Sequence, residues 1–210
     1  MNDREYTAAI VERLKEIYPD AVCSLEYGGD PWKLLVMGRL SAQCTDARVN
    51  EVCKVLFKKW SSAKELSEAP ISEVEETVRS CGLYKMKARD IVGASKMLCE
   101  NFGSKVPDTM EELLTLPGVG RKIANLLLGD LYKKPAVVVD THCIRISGRM
   151  GLVPGTLKTP EKIEKILSAL IEDSEQSDFC HRIVLLGREF CTARGHDCSI
   201  CPLGDICRKA

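Results

Sequence analysis

The sequence predicts an all-α fold, and three observations carry that prediction. Apolar residues recur at the 3.6-residue spacing of helices through most of the chain. Ser, Thr or Asp stands ahead of several of these runs, where a helix N-cap belongs. The one run that reads as a strand, Ala136-Val137-Val138-Val139, has no partner run elsewhere, and a lone strand forms no sheet.

Each element has its own signal. Tyr6, Ile10, Leu14 and Ile17 mark one face of the first helix. Asp30 before Pro31 is a cap with proline at the first helical position, opening an apolar run through Leu40. Thr45 or Asp46 caps the next helix, whose stripe is Val49, Val52, Cys53, Leu56, Phe57 and Trp60. Ser62 with Glu65, and Ser72 with Glu75, read as two capping boxes. Gly82 stands where a helix C-cap would. A helix from Lys85 to Asn101 stops at Gly103. Asp108 with Glu111 caps a short helix that ends at Pro117, and another runs from about Arg121 to Tyr132. Ala136–Val139 is then a buried extended connector into a helix near Thr141. Thr159-Pro160 opens a helix with Ile163, Ile166, Leu167 and Leu170 inward, and Asp178 to Phe190 closes the series.

Composition limits the function classes. The chain has 210 residues, 45% hydrophobic and 29% charged, which excludes disordered and collagen-like classes. No apolar run approaches the roughly 18 residues of a membrane span. The start, Met-Asn-Asp-Arg-Glu, has no apolar segment behind it to suggest secretion. Formal net charge is zero, so any nucleic-acid-binding surface is local. No internal repeat or low-complexity linker divides the chain.

Cysteine is the outlier, at 11 residues. Seven are scattered (Cys23, Cys44, Cys53, Cys81, Cys99, Cys143 and Cys180) and read as small buried hydrophobes in a reducing compartment. The other four form Cys191-x6-Cys198-x2-Cys201-x5-Cys207, in a stretch of Gly, Asp, Ser and Pro with no apolar face. Two disulfides, a structural zinc and an iron–sulfur cluster compete for them. Zinc sites usually pair two short knuckles, and here there is one. A cubane cluster accepts four thiolates along one loop, and Pro202 after Cys201 matches the Cys-Pro of ferredoxin-type loops.

Leu116-Pro117-Gly118-Val119-Gly120-Arg121-Lys122 lies between two helices. It reads either as an ordinary turn or as an anion site, since glycines leave the next helix's N–H groups accessible to a phosphate. Lys122 sits in that helix's first turn, where the macrodipole disfavours a cation. Burial there would favour the neutral, nucleophilic amine. Asp140 ends the apolar run before Thr141-His142 and reads as an N-cap, a charge partner, or both. Gln43 and Leu83, taken alone, read as a helix-end polar residue and a turn-flanking core leucine.

Together these residues resemble the endonuclease III family of the helix-hairpin-helix DNA glycosylase superfamily. The resemblance runs through Leu40-Ser41-Ala42-Gln43 with Thr45-Asp46, Gly82-Leu83-Tyr84, Leu116 to Lys122, Val139-Asp140-Thr141-His142 with Arg145, and the four-cysteine loop. It spans essentially the whole chain. It implies a six-helix domain over 21–133 containing the hairpin, a second helical domain of 1–20 with 134–210, and a cleft between them. It also implies a [4Fe-4S] cluster on Cys191, Cys198, Cys201 and Cys207. The implied activity is that of a DNA glycosylase and abasic-site lyase, releasing oxidised pyrimidines from a nucleotide flipped out of duplex DNA. Lys122 would attack the sugar and Asp140 assist. Gln43 and Leu83 would fill and wedge the duplex, and Gly118, Gly120, Arg121, His142 and Arg194 would contact DNA. The expected state is a monomer in a prokaryotic cytoplasm, associated with the nucleoid.

The sequence departs from that pattern in three places. Leu186-Gly187-Arg188 stands where many relatives carry His-Gly-Arg, Cys143 replaces an aliphatic residue, and the cluster loop is poor in cations. The next candidates for a basic surface are Lys85, Lys87 and Arg89. Two other functions compete. A monofunctional mismatch glycosylase of the superfamily would carry Ser or Tyr in place of Lys122. A non-catalytic iron–sulfur DNA-binding protein would need neither Lys122 nor Asp140.

Overall fold

A computed structural model describes residues 2–208. Among them the fold is all-α: eleven α-helices, two 3₁₀ turns and no strand. The helices are α1 Asp3–Ile17, α2 Pro31–Leu40, α3 Asp46–Lys59, α4 Ala63–Ser67, α5 Ile71–Thr77, α6 Tyr84–Asn101, α7 Met110–Leu113, α8 Arg121–Asp130, α9 Thr141–Met150, α10 Pro160–Leu170 and α11 Gln176–Glu189. The chain divides into two compact units: Ser24–Tyr132, and Met1–Cys23 together with Lys133–Ala210.

The unit Ser24–Tyr132 is built around α2. Its residues Leu34, Leu35, Val36, Met37 and Leu40 are all buried, as expected of a helix that is apolar on every side. Asp30 Oδ1 accepts from the Trp32 and Lys33 amides at 3.0 and 3.2 Å, and Pro31 fixes the first turn. Helices α3, α6 and α8 pack on α2. Two of the expected caps differ. Ser72 lies inside α5, which starts after Pro70 with no side-chain cap. At α7 the cap is Thr109, one residue later than expected: its Oγ1 accepts from the Glu112 amide and donates to the Glu112 carboxylate at 2.8 Å. Ser62 caps α4, but Glu65 reaches back to the Ser61 amide, at 2.6 Å, so that box is one residue out of register.

The other unit has its core between α1, α9, α10 and α11. Tyr6, Ile10 and Leu14 meet Cys143, Ile146, Met150, Ile163, Leu167, Phe179, Ile183 and Leu186. Each such side chain contributes about 1.5–3 kcal/mol on burial. The Tyr6 hydroxyl donates to the Met150 carbonyl at 2.8 Å and accepts from the Arg208 amide at 3.1 Å. Residues 136–139 form the expected connector without strand structure.

The scattered cysteines are not uniformly core. Cys53, Cys81, Cys143 and Cys180 are buried, whereas Cys23, Cys44 and Cys99 are half-exposed. Cys180 also uses its thiol as a polar group, donating to the Gln176 carbonyl at 3.2 Å and accepting from the Val138 amide at 3.1 Å.

Candidate functional site

The hairpin turn is shaped by the ion pair beneath it. Leu113, Leu116 and Val119 are buried and anchor it. Gly118 has φ +74°, a left-handed conformation that favours glycine. A Cβ there would also come within 2.7 Å of Arg39 Nε and Asp90 Cβ. Arg39 and Asp90 form a mostly buried pair, with both Arg39 Nε and Nη2 at 2.6 Å from Asp90 Oδ2. Gly120 serves differently. Its φ is −99°, it brings no capping side chain to α8, and a Cβ on it would meet open space. The turn therefore presents the first amides of α8 with nothing projecting over them, as an incoming phosphate requires.

Arg121 and Lys122 follow at once, both exposed. The expectation of a buried Lys122 is not met: the inward face of α8 is formed by Ile123, Ala124, Leu127 and Leu128, which leaves the second residue outside.

Gln43 and Leu83 share an unusual backbone. Gln43 has φ +54° and Leu83 has φ +49°, two of the four left-handed non-glycine residues among those described. For side chains of this size that conformation is strained, and such strain concentrates at functional positions. Leu83 is 52% exposed, so it is not the core leucine that its sequence setting suggests. Gly82, φ +70°, precedes it, and α6 begins directly after it.

In the other unit, Asp140 is the N-cap of α9, its Oδ1 accepting from the Cys143 amide at 2.7 Å. The residue is half-buried. His142, in the first turn, lies with Nδ1 at 3.2 Å from Arg145 Nη2. Arg145 Nη2 in turn donates to the carbonyls of Gly187 and Cys191 at 3.2 and 3.1 Å. Gly187 is what lets α9 and α11 approach, since a Cβ there would fall 2.5 Å from His142 Nδ1. Burial pushes the Cys143 thiol well up, with Cys180 and Asp140 adding to it, so it is a neutral core group.

The four clustered cysteines line one cavity of about 230 Å³, walled also by Met150, Leu186, Phe190 and Leu203. That is several times the roughly 30 Å³ share of one water molecule. Burial raises the Cys201 thiol, and the neighbouring thiols of Cys191, Cys207 and Cys198 raise it further. Among the described residues no group of three or more His, Cys, Asp and Glu is set to hold a single metal ion. The loop is tied down from several sides. Arg149 Nη1 lies 3.5 Å from Cys191 Sγ and donates to the Thr192 carbonyl at 2.6 Å. Arg13 forms a two-pronged pair with Asp205, at 3.1 and 3.2 Å, and also donates to the Pro202 carbonyl. Gly204 packs so closely that a Cβ would meet the Cys198 carbonyl at 2.6 Å. Arg194, between the first two cysteines, is exposed.

Of the supports, Arg39 and Asp90 are absent from the sequence reading, and Arg145 and Lys87 are given no supporting role there. Lys87 is fully buried, so it offers no charge to a phosphate, contrary to its place among the candidate surface cations. A signal for it exists: it falls on the same stripe of α6 as Ala88, Ile91, Ala94 and Leu98.

Comparison with known proteins identifies a matching family and similar structures. The pattern described as HhH-GPD superfamily base excision DNA repair protein matches residues 36–173. Endonuclease III of Synechocystis sp. is 44% identical over 198 residues, covering 94% of this chain and 89% of that one. Endonuclease III of Bacillus subtilis is 38% identical over 199 residues, covering 95% and 90%. A solved structure of a trapped endonuclease III–DNA covalent intermediate, an estranged-adenine complex, superposes with a TM-score of 0.92 at 38% identity, covering 100% of this chain and 97% of that one.

Proposed function

The chain belongs to the HhH-GPD superfamily of base excision DNA repair proteins, and from that premise we infer that it is a bifunctional DNA glycosylase and abasic-site lyase acting on oxidised pyrimidines in duplex DNA. The observation that carries the reading is Lys122: a primary amine, exposed, one residue beyond the open N-terminus of α8, on a turn held from below by Arg39 and Asp90. The trapped covalent intermediate of a similar enzyme with DNA supports the same chemistry.

The hairpin amides of Gly118, Gly120 and Arg121 bind a backbone phosphate. The target nucleotide leaves the stack, Leu83 wedges the strands and Gln43 occupies the vacated position. Lys122 Nζ attacks C1′ and the base departs with the bonding electrons. The amine loses a proton, its lone pair forms the C=N bond as the C1′–O4′ bond breaks and O4′ takes a proton, and the resulting protonated Schiff base acidifies C2′. Removal of a C2′ proton expels the 3′ phosphate by β-elimination, cutting the strand. Asp140 takes a proton from the amine and stabilises positive charge on the sugar. His142 and Arg194 contact the DNA backbone.

In this reading 21–133 is the domain carrying hairpin, wedge and nucleophile, and 1–20 with 134–210 carries Asp140 and the cysteine loop. The division of the chain into compact units near those positions supports it. Cys191, Cys198, Cys201 and Cys207 hold a [4Fe-4S] cluster. The shared cavity, its apolar walls and the Arg149 contact to Cys191 fit such a group. When bound it supplies a covalent tie for a loop that has little core of its own. The protein acts as a monomer in the cytoplasm of a prokaryote. Among the described residues no helix is long and apolar enough to cross a membrane.

Borohydride added to the wild-type protein on thymine-glycol duplex should give a covalent protein–DNA adduct, and Lys122→Gln should give none while unfolding at the wild-type temperature. An adduct at wild-type yield from Lys122→Gln would move the nucleophile elsewhere. The cofactor is tested separately: purified protein should be brown and contain iron and sulfide, and Cys198→Ala should lose the colour. Colourless wild-type protein with one zinc per chain would refute the cluster.

A further inference from the structure

Lys87 is the one buried lysine among the described residues, and its ammonium donates to backbone carbonyls. Nζ donates to the Leu40 carbonyl at 2.8 Å and to the Cys81 carbonyl at 2.7 Å. A buried cation held without a carboxylate is costly, so its position calls for a reason. Neither carbonyl is an arbitrary one. Leu40 is the last residue of α2, where carbonyls lack helical partners, and the turn that follows contains Gln43. That turn is closed by the Cys44 amide donating to the Ser41 carbonyl at 3.1 Å, directly across Gln43. Cys81 ends the 3₁₀ turn Arg79–Cys81, and the next two residues are Gly82 and Leu83. The Lys87 amide also donates to the Leu83 carbonyl at 3.1 Å. One residue therefore grips both loops that carry left-handed, strained side chains, three residues ahead of Gln43 and on either side of Leu83.

We propose that Lys87 is a positioning residue for duplex opening: its ammonium fixes the turn of Gln43 relative to the turn of Leu83, so that both side chains enter the DNA stack together. This rests on the reading of Gln43 and Leu83 as the gap-filling pair. The physical logic is preorganisation. Two strained loops relax unless their surroundings over-determine them, and a displacement of about 1 Å in a positioned group can cost on the order of 10²-fold in rate. A single ammonium reaching both carbonyls couples the two loops in a way that apolar packing, which tolerates sliding, does not. Lys87 touches no DNA, and its effect is confined to the step in which paired bases must be parted.

That confinement gives the test. Single-turnover strand cleavage is measured at saturating enzyme on thymine glycol paired with adenine in duplex, and on the same lesion centred in a bubble of unpaired bases. Lys87→Met keeps the length of the side chain and removes the donors. It should slow cleavage of the paired substrate about tenfold or more, while the bubble substrate, normalised to wild type, changes less than about threefold. Leu83→Ala should show the same selective loss. In Lys87→Met/Leu83→Ala the two losses should not multiply, because one acts through the other. Equal losses on both substrates would make Lys87 a merely structural residue and overturn the proposal. So would a Lys87→Met variant of wild-type speed on paired duplex when Leu83→Ala is slow. If Leu83→Ala and Gln43→Ala both show no loss specific to paired DNA, the gap-filling reading itself fails and the proposal falls with it. Should Lys87→Met not fold, Lys87→Leu, which also removes the donors and keeps an apolar side chain in the core, carries the same comparison with the same outcomes.

Discussion

Asp140 holds two duties at one carboxylate, and they are separable. One oxygen accepts from the Cys143 amide at 2.7 Å and starts α9, a role that needs only an acceptor. The proposed role in the reaction needs the negative charge. Asp140→Asn keeps an oxygen for the cap and removes the charge. Stability should therefore fall by less than about 1 kcal/mol, whereas the single-turnover rate should fall about 10²-fold or more. Denaturant titration and a cleavage time course on the same preparation decide between the duties. Near-normal turnover in Asp140→Asn would leave this residue as a cap alone. The same distinction separates Gly118 from Gly120. The first is required by a left-handed φ and by Arg39 and Asp90 pressing on it. The second has free space around it, and any need for glycine there must come from what approaches from outside.

At the level of elements, periodicity was sufficient and caps were not. The stripes Tyr6-Ile10-Leu14-Ile17 and Val49-Val52-Cys53-Leu56-Phe57-Trp60 are buried as their spacing implies, except that Ile17 and Phe57 are half-buried. Cap register was lost where two competent residues adjoin. Asp108 and Thr109 are adjacent candidates, and at Thr109 the hydroxyl both accepts from the Glu112 amide and donates to the Glu112 carboxylate. Ser72 has the right partner in Glu75, yet Pro70 starts α5 earlier and leaves Ser72 inside the helix. Charged groups within the core were the least legible, because what admits them is distant in sequence. Arg39 is explained by Asp90, and Lys87 by the Leu40 and Cys81 carbonyls. The α9–α11 contact shows the same dependence. Gly187 looks like any helical glycine in sequence, yet a Cβ there would fall 2.5 Å from His142 Nδ1, 2.6 Å from Ile146 Cδ1 and 2.9 Å from Arg145 Nη2. Gly187→Ala should part these helices and cost about 1–3 kcal/mol by overpacking, read as a lower denaturant midpoint with an unchanged slope. Full stability in Gly187→Ala would mean that α9 shifts freely, against the hold that Arg145 exerts on the Gly187 and Cys191 carbonyls.

For the molecule as a whole, the question is how a chain of zero formal net charge grips a polyanion. Many of its cations serve the fold. Arg39 is paired with Asp90, Arg182 with Glu175 and Asp178, Arg13 with Asp205, and Arg208 with Asp3. Arg145 and Arg149 are turned to backbone carbonyls beside the cysteine loop, and Lys87 is buried. Within that loop, from Cys191 to Cys207, Arg194 and His196 stand against Asp197 and Asp205. The hairpin amides carry no ionic charge and release few counterions. Of the cations left exposed, Arg121 on the hairpin and Arg194 in the cysteine loop are the candidates for phosphate neutralisation. Each neutralised phosphate adds about 0.9 to the slope of log K against log salt. Two to four such contacts give a slope of about 2 to 4 and weak binding to undamaged duplex. Arg194→Glu should weaken binding to damaged and undamaged duplex alike, because a phosphate contact carries no sequence or lesion information. At saturating DNA its single-turnover cleavage should be nearly unchanged. Fluorescence-anisotropy titrations across a range of salt concentrations read both quantities. A slope of about 7 or more, or an Arg194→Glu variant of unaltered affinity, would place the basic surface on the Lys85 and Arg89 side of the Leu83 turn instead.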